Sequence, residues 1–257
     1  VKYAMLAVEG PTDQAVVGQS LKLLGFKRFG GQSDELDGFW TPLIPRYPSQ
    51  TGNLYERLPM PSIFEDGVTS LAIYTGGGSD LIRQVSALLL NHDLHEKLAA
   101  FGVIADADKQ APSDVARKYQ QGFRPLFPDF PTTPGELTNG APKTGIFVLP
   151  DNNQQGVVEH LIIEAGEAVY GTLLQRARAY VDGFDEAERR AAKWKPFSPE
   201  KAVIAAVASL LKPGSTNTVT LTDNLWISEQ TKARSMLAGL IDFLEGLLGG
   251  WENAPGG

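Results

Sequence analysis

The chain has 257 residues, 42% hydrophobic and 21% charged, with a net charge of -7 and no cysteine. This is a globular composition, enough for one large domain or one domain with an elaborated lobe. Disulfides and thiolate metal sites are excluded, and nucleic-acid binding would need a local basic patch or cations to neutralise the protein's own acids.

Met5–Val8 reads as a buried strand that Glu9 and Gly10 break. Asp13–Leu24 is predicted helical, with Val17, Leu21 and Leu24 on one face and Gly25 just past its end. Residues 27–67 change character. Prolines exclude "GFWTPLIPRYP" and "LPMPSIF" from helix interiors, so an inserted hairpin, meander or long loop is expected there. "LAIYTGGG" (71–78) is a strand entering a glycine turn, and Asp80–Leu98 an amphipathic helix. "GVIADAD" (102–108) is the next strand. Ser113 is predicted to cap a short helix ending near Gln121. A proline-rich connection leads to strand 145–151, then to a helix over Val157–Leu174.

The second half reads as helical. Ser198-Pro199 starts a helix running to about Leu211, "TVTLTDNLWIS" is taken as a short extended segment, and Met236 to Leu247 form the stripe of a final helix. The tail "GGWENAPGG" is expected to fray. The fold class is therefore α/β: a mainly parallel sheet with helices on both faces, an insertion at 27–67 and a helical C-terminal part. A division at residue 175 separates an α/β domain (1–175) from a helical extension (176–257). No apolar run approaches the roughly 20 residues of a membrane helix and no signal peptide is evident, so a cytoplasmic protein without a membrane part is expected.

In such sheets chemistry gathers outside the carboxyl ends of the strands. Those ends carry Glu9, Gly76–Gly78, Asp106 with Asp108, and Asp151. In "ADAD" the two aspartates alternate, which on a regular strand sends both to one face. Asp13 opens the first helix nearby, where a first-turn acid also suits the helix dipole. Carboxylates crowded together repel one another and are costly to desolvate. A hard divalent cation offsets that cost, and oxygen-only donors suit Mg²⁺ or Mn²⁺.

"VEGPTD", a strand ending in "GGG", and then "VIADAD", in that order, resemble the TOPRIM domain of topoisomerases, primases and the OLD-type (overcoming lysogenization defect) nucleases. With "VLPDNNQQGVVEHL", the chain is most similar to the small stand-alone TOPRIM proteins related to those nucleases, over about residues 3–170. The resemblance implies that Glu9 and Asp13 are catalytic acids and metal ligands. It implies that Asp106 and Asp108 hold the metal, that Glu159 helps hold a second ion, and that Asp151 supports them. Lys201, in "EKAVIAAVASL", resembles the lysine that stabilises the transition state in that group. The family's large nucleases carry an ATPase domain. This chain has no G-x-x-x-x-G-K-[ST] match, so an ATP-driven function would draw on a separate ATPase partner.

Arg189, Arg190, Lys193 and Lys195, with Trp194, form a basic-aromatic cluster suited to phosphate contact and stacking. Asp185, Glu186 and Glu188 dilute it. His160, next to Glu159 on a helix, is expected to point away from it. The leading expectation is a Mg²⁺- or Mn²⁺-dependent nuclease acting on DNA or RNA by a two-metal mechanism. A second is a non-enzymatic TOPRIM-like subunit that binds metal or nucleic acid in a larger complex. A third, a haloacid-dehalogenase-type phosphatase, wants threonine two positions after its second aspartate, where this chain has Gln110.

Overall fold

The computed structural model describes residues 1–48, 52, 54, 58 and 60–249. The fraying expected of the tail concerns mainly residues 250–257, outside the described residues. The architecture is a six-stranded sheet in the order β2-β3-β4-β1-β5-β6. It comprises β1 (Lys2–Val8), β2 (Lys27–Arg28), β3 (Ser62–Glu65), β4 (Thr69–Thr75), β5 (Leu98–Asp106) and β6 (Lys143–Leu149). β4, β1, β5 and β6 are mutually parallel, while β2 and β3 add antiparallel at one edge. β1 lies between β4 and β5, with Val8 opposite Thr75 on one side and Ile104 on the other.

Both faces of the sheet are covered, which is why its parallel strands read as unbroken apolar runs. Leu6, Val8, Ile104 and Phe147 pack with α1 (Pro11–Leu23), α4 (Val158–Asp182), α6 (Ser198–Leu211) and α8 (Ser235–Leu248). Met5, Ala7, Phe101 and Val103 pack with α2 (Leu81–Asn91) and α3 (Pro112–Phe123). The chain leaves β1 towards β4 over one face and leaves β5 towards β6 over the other. The reversal falls between β1 and β5, and at such a switch point the carboxyl ends of adjacent strands open into a crevice.

Several expectations are corrected. α2 ends at Asn91 and the strand begins at Leu98, because Asp93 turns left-handed (φ 51°) and Leu98 pairs with Tyr3 on β1. Ser113 lies inside α3, which starts on Pro112 after an uncapped Ala111. In the insertion, β2 and β3 supply the expected antiparallel pairing, but Gly38–Leu43 is a 3₁₀ turn that includes Pro42. Trp40 holds that turn by burying its indole and donating from Nε1 to Ser70 Oγ at 2.8 Å. Within "TVTLTDNLWIS" the expected extended segment is instead α7 (Asn217–Asp223), capped by Thr216, whose Oγ1 accepts from Val219 N–H. α5 (Glu186–Ala191) is capped by Asp185.

The boundary drawn at 175 falls inside α4, which continues to Asp182 past a break in helical geometry at Tyr170. There the Tyr170 hydroxyl accepts from Leu225 N–H at 2.9 Å and its ring packs on Trp226. α8 lies directly on the sheet, with Leu247 closing over Gly102 and Leu6 and with Phe243 against Phe147. Among the described residues, no helix is long and apolar enough to cross a membrane.

Candidate functional site

β1 ends at Val8, and Glu9 emerges at the switch point. The three-glycine turn after β4 wraps its backbone: Gly76 N–H donates to Val8 O and Gly78 N–H to Glu9 O, both at 3.2 Å. Gly76 has no room for a side chain, since a Cβ there would collide with Leu81, 2.9 Å from its Cα. Gly77 adopts φ +65°, which glycine tolerates without strain. The loop therefore serves close backbone approach to the end of β1.

Glu9 Oε1 accepts from the Tyr119 hydroxyl at 2.8 Å, and Tyr119, on α3, is 1% exposed. Asp13 lies in the first turn of α1, and its Oδ2 accepts from Gly10 N–H at 2.7 Å. This is the returning half of a capping box, and it explains why an acid suits that position locally. It does not explain why Asp13 is only 4% exposed. Asp106 ends β5, and its Oδ1 accepts from Val158 N–H, the first residue of α4, at 2.8 Å. Glu159 follows in the same first turn, 7% exposed, and its Oε2 is buried with no hydrogen-bond partner.

The electrostatics tie these groups together. Burial, then the charges of Asp13, Glu9 and Glu159, push the Asp106 carboxyl up to about 9. Burial, with the charges of Glu9 and Glu159, raises Asp13 to about 7 against the pull of Gly10 N–H and Lys201. Glu9 and Glu159 are also raised, each mainly by burial. Lys201, in the first turn of α6, is exposed yet acts on both Asp13 and Glu159. Three helix N-termini, those of α1, α4 and α6, thus bring acids or their counter-cation to one crevice. Positive helix ends offset part of the acids' repulsion.

Other predicted residues are placed differently. The strand stops at Asp106. Asp108 turns left-handed (φ 51°), is exposed, and bridges by backbone to Gly156 in both directions, at 2.7 and 2.9 Å. The two acids of "ADAD" therefore do not share a strand face, although Asp108 still acts electrostatically on Glu9. Asp151 is spent on its own turn: Oδ1 accepts from the backbone N–H groups of Asn153 and Gln154, and Oδ2 from the Gln154 side chain, all at 3.0 Å. Among the described residues, no group of three or more His, Asp or Glu side chains stands in position to hold a metal ion as arranged.

The basic cluster also divides. Arg189 is turned inward, donating from Nη2 to Val181 O at 3.2 Å, with its guanidinium 5.3 Å from the Trp194 ring centre. Arg190, Lys193 and Lys195 are exposed. Together with Lys109 and Glu200, the Arg189, Arg190 and Lys195 side chains line a cleft of about 630 Å³.

The model of DUF3226, described as a protein of unknown function, matches residues 3–248. The chain belongs to the DUF3226 family. A similar solved structure is that of hypothetical protein PH0156 from Pyrococcus horikoshii OT3, with a TM-score of 0.52 and 17% identity over 96% of this chain and 95% of that one. At that identity the likeness speaks to the fold alone. No curated protein matches the chain.

Three contributors to this family member's crevice were missed in the sequence. Tyr119 sits in the apolar stripe of α3 and reads as core until its hydroxyl is seen on Glu9. Lys118, beside it, lowers the Glu9 carboxyl. His160 turns to Phe197, which its ring meets edge-on, and to Glu200, 3.8 Å from its Nε2, and it still acts electrostatically on Glu159. α6 crosses the start of α4 there, which adjacent helix positions alone could not reveal.

Proposed function

We propose that the crevice between β1 and β5 is the active site of a Mg²⁺- or Mn²⁺-dependent phosphodiester hydrolase acting on nucleic acid, in keeping with the TOPRIM resemblance. The observation that carries this reading is Glu159 Oε2, a buried oxygen with no partner among three other raised carboxyls and one lysine. A buried charge without a partner costs several kcal/mol, and an all-oxygen donor set is what a hard cation takes. Glu9, Asp13, Asp106 and Glu159 are the candidate ligands, and binding would have to draw them closer together. Bound there, the cation would lower the pKa of a water and neutralise charge on a phosphate oxygen.

The chain's own groups have definable tasks. Tyr119 holds Glu9 Oε1, and Val158 N–H holds Asp106 Oδ1, so each acid keeps one oxygen oriented and one available. Asp13, raised to about 7 by burial and by the charges of Glu9 and Glu159, is a carboxyl that gives up its proton readily near neutral pH when a cation enters. Lys201 supplies the cation that faces developing negative charge at the rim.

The test is incubation with single- and double-stranded DNA and RNA in Mg²⁺ or Mn²⁺. Cleavage of at least one substrate is expected, with a loss of at least a hundredfold in Asp106→Ala. Intact substrates throughout would leave the non-enzymatic subunit as the better account. Cleavage that Asp106→Ala retains would remove this crevice from the chemistry.

A further inference from the structure

Two cavities meet at Trp194. One is the basic cleft of about 630 Å³, which also contains Pro196, Phe197 and Pro199. The other, about 550 Å³, lies between α4, α5 and α6 and is lined by Tyr180, Phe184, Ala191, Ala192 and Ala202 around the same indole. Both volumes fall in the range of about 300–1,000 Å³ typical of ligand sites. The indole is held in place between them. Arg189 lies over it, and Phe184 packs against it at 6.2 Å between ring centres. Arg189 is in turn tied to Val181 O.

The charge of the cleft runs against that of the chain. The whole sequence has 30 acids against 23 lysines and arginines. The cleft is lined by four cations, Lys109, Arg189, Arg190 and Lys195, against two acids, Glu186 and Glu200. It borders the acid crevice: Glu200, in its lining, lies 3.8 Å from Nε2 of His160, the residue after Glu159, and Lys109 follows Asp108 directly in the chain.

We propose that these joined cavities bind single-stranded nucleic acid, with an unpaired base against Trp194 and Phe184 and the flanking phosphates on Lys109, Arg190 and Lys195. A duplex keeps its bases stacked on one another and offers only their edges. An unpaired base offers its face, and stacking on aromatic side chains with cations along the backbone is the usual solution for single strands. This rests on the nucleic-acid hydrolase reading and gives it a substrate class.

The experiment is fluorescence anisotropy of labelled 12-nucleotide single strands (DNA and RNA) and of the matching duplexes, in EDTA so that no cleavage occurs. A single strand should bind at least tenfold tighter than its duplex. Trp194→Ala should weaken single-strand binding at least tenfold. The exposed pair Arg190→Ala/Lys195→Ala, which leaves the core intact, should do likewise and reduce the slope of log affinity against log salt by about 1.4. Equal affinity for strand and duplex, or binding that the exposed pair leaves unchanged, overturns the proposal. Binding as described with no cleavage in Mn²⁺ would sink the hydrolase reading and leave this one standing. Cleavage that the exposed pair leaves unaltered would do the reverse.

Discussion

β5 and β6 are neighbouring parallel strands, and an acid stands at the carboxyl end of each: Asp106 ends β5, and Asp151 follows β6 by two residues. In sequence both are acids closing an apolar run. Asp151 uses both of its oxygens within three residues, in a turn that would form around any such aspartate. Asp106 has a single backbone partner 52 residues away and sits in the field of three other carboxyls. An acid at a strand end is therefore weak evidence for chemistry. What distinguishes the two is whether local N–H groups already satisfy the carboxylate.

That contrast can be broken by mutation. Asp106→Asn should cost at least a hundredfold in metal-dependent cleavage, while Asp151→Asn should leave the rate within about twofold and cost about 1 kcal/mol of stability through its turn. In EDTA at pH 8 the sign reverses for Asp106. The folded state must keep a proton on Asp106 that the unfolded chain releases at that pH, so a neutral isostere that keeps the Val158 N–H bond should stabilise the fold by about 2 kcal/mol, or several degrees in Tm. Equal effects at both positions, in activity and in stability, would erase the distinction.

The pH dependence sharpens it. Asp13 and Asp106 have folded-state pKa values, about 7 and about 9, above their ordinary 3.8. The folded state therefore holds more protons than the unfolded one between these limits. Stability contributed by the protonated forms is fully present below about pH 4 and is lost as pH rises through 7 to 9. In EDTA, Tm should fall across that window, and millimolar Mg²⁺ should flatten the fall. A Tm that rises from pH 5 to 9 in EDTA would show that these acids are ionised and compensated by other means. A similarly small effect belongs to Tyr119→Phe, which keeps the ring in the core and removes one hydrogen bond to Glu9, at a cost of about 1 kcal/mol.

Much of the fold could be read from pattern. The apolar runs of β1, β4, β5 and β6, alternating with amphipathic stretches, implied a parallel sheet, because only strands covered on both faces carry such runs. Readings failed where a single hydrogen-bond partner, distant or local, overrode the residue pattern. Trp40 and Ser70 stabilise a turn across Pro42, and Thr216 starts a helix in a segment rich in β-branched residues. In the crevice, Glu9, Asp13 and Asp106 could be nominated from sequence because strand ends in an α/β sheet share an edge, and Glu159 only through the TOPRIM resemblance. The left-handed turn at Asp108, the hydroxyl of Tyr119 and the approach of His160 to Glu200 could not, since each depends on how α3, α4 and α6 pack.

Calorimetric titration of Mn²⁺ into the protein at pH 7.5, repeated in buffers of different ionisation enthalpy, goes most directly to the idea that these acids share a cation. Because Asp106, and part of Asp13, hold protons at that pH, binding should release about one proton or more per ion, and Asp106→Asn should abolish both the binding and the release. Mn²⁺ that fails to bind at millimolar concentration, or that binds without releasing protons and regardless of Asp106, would contradict the account.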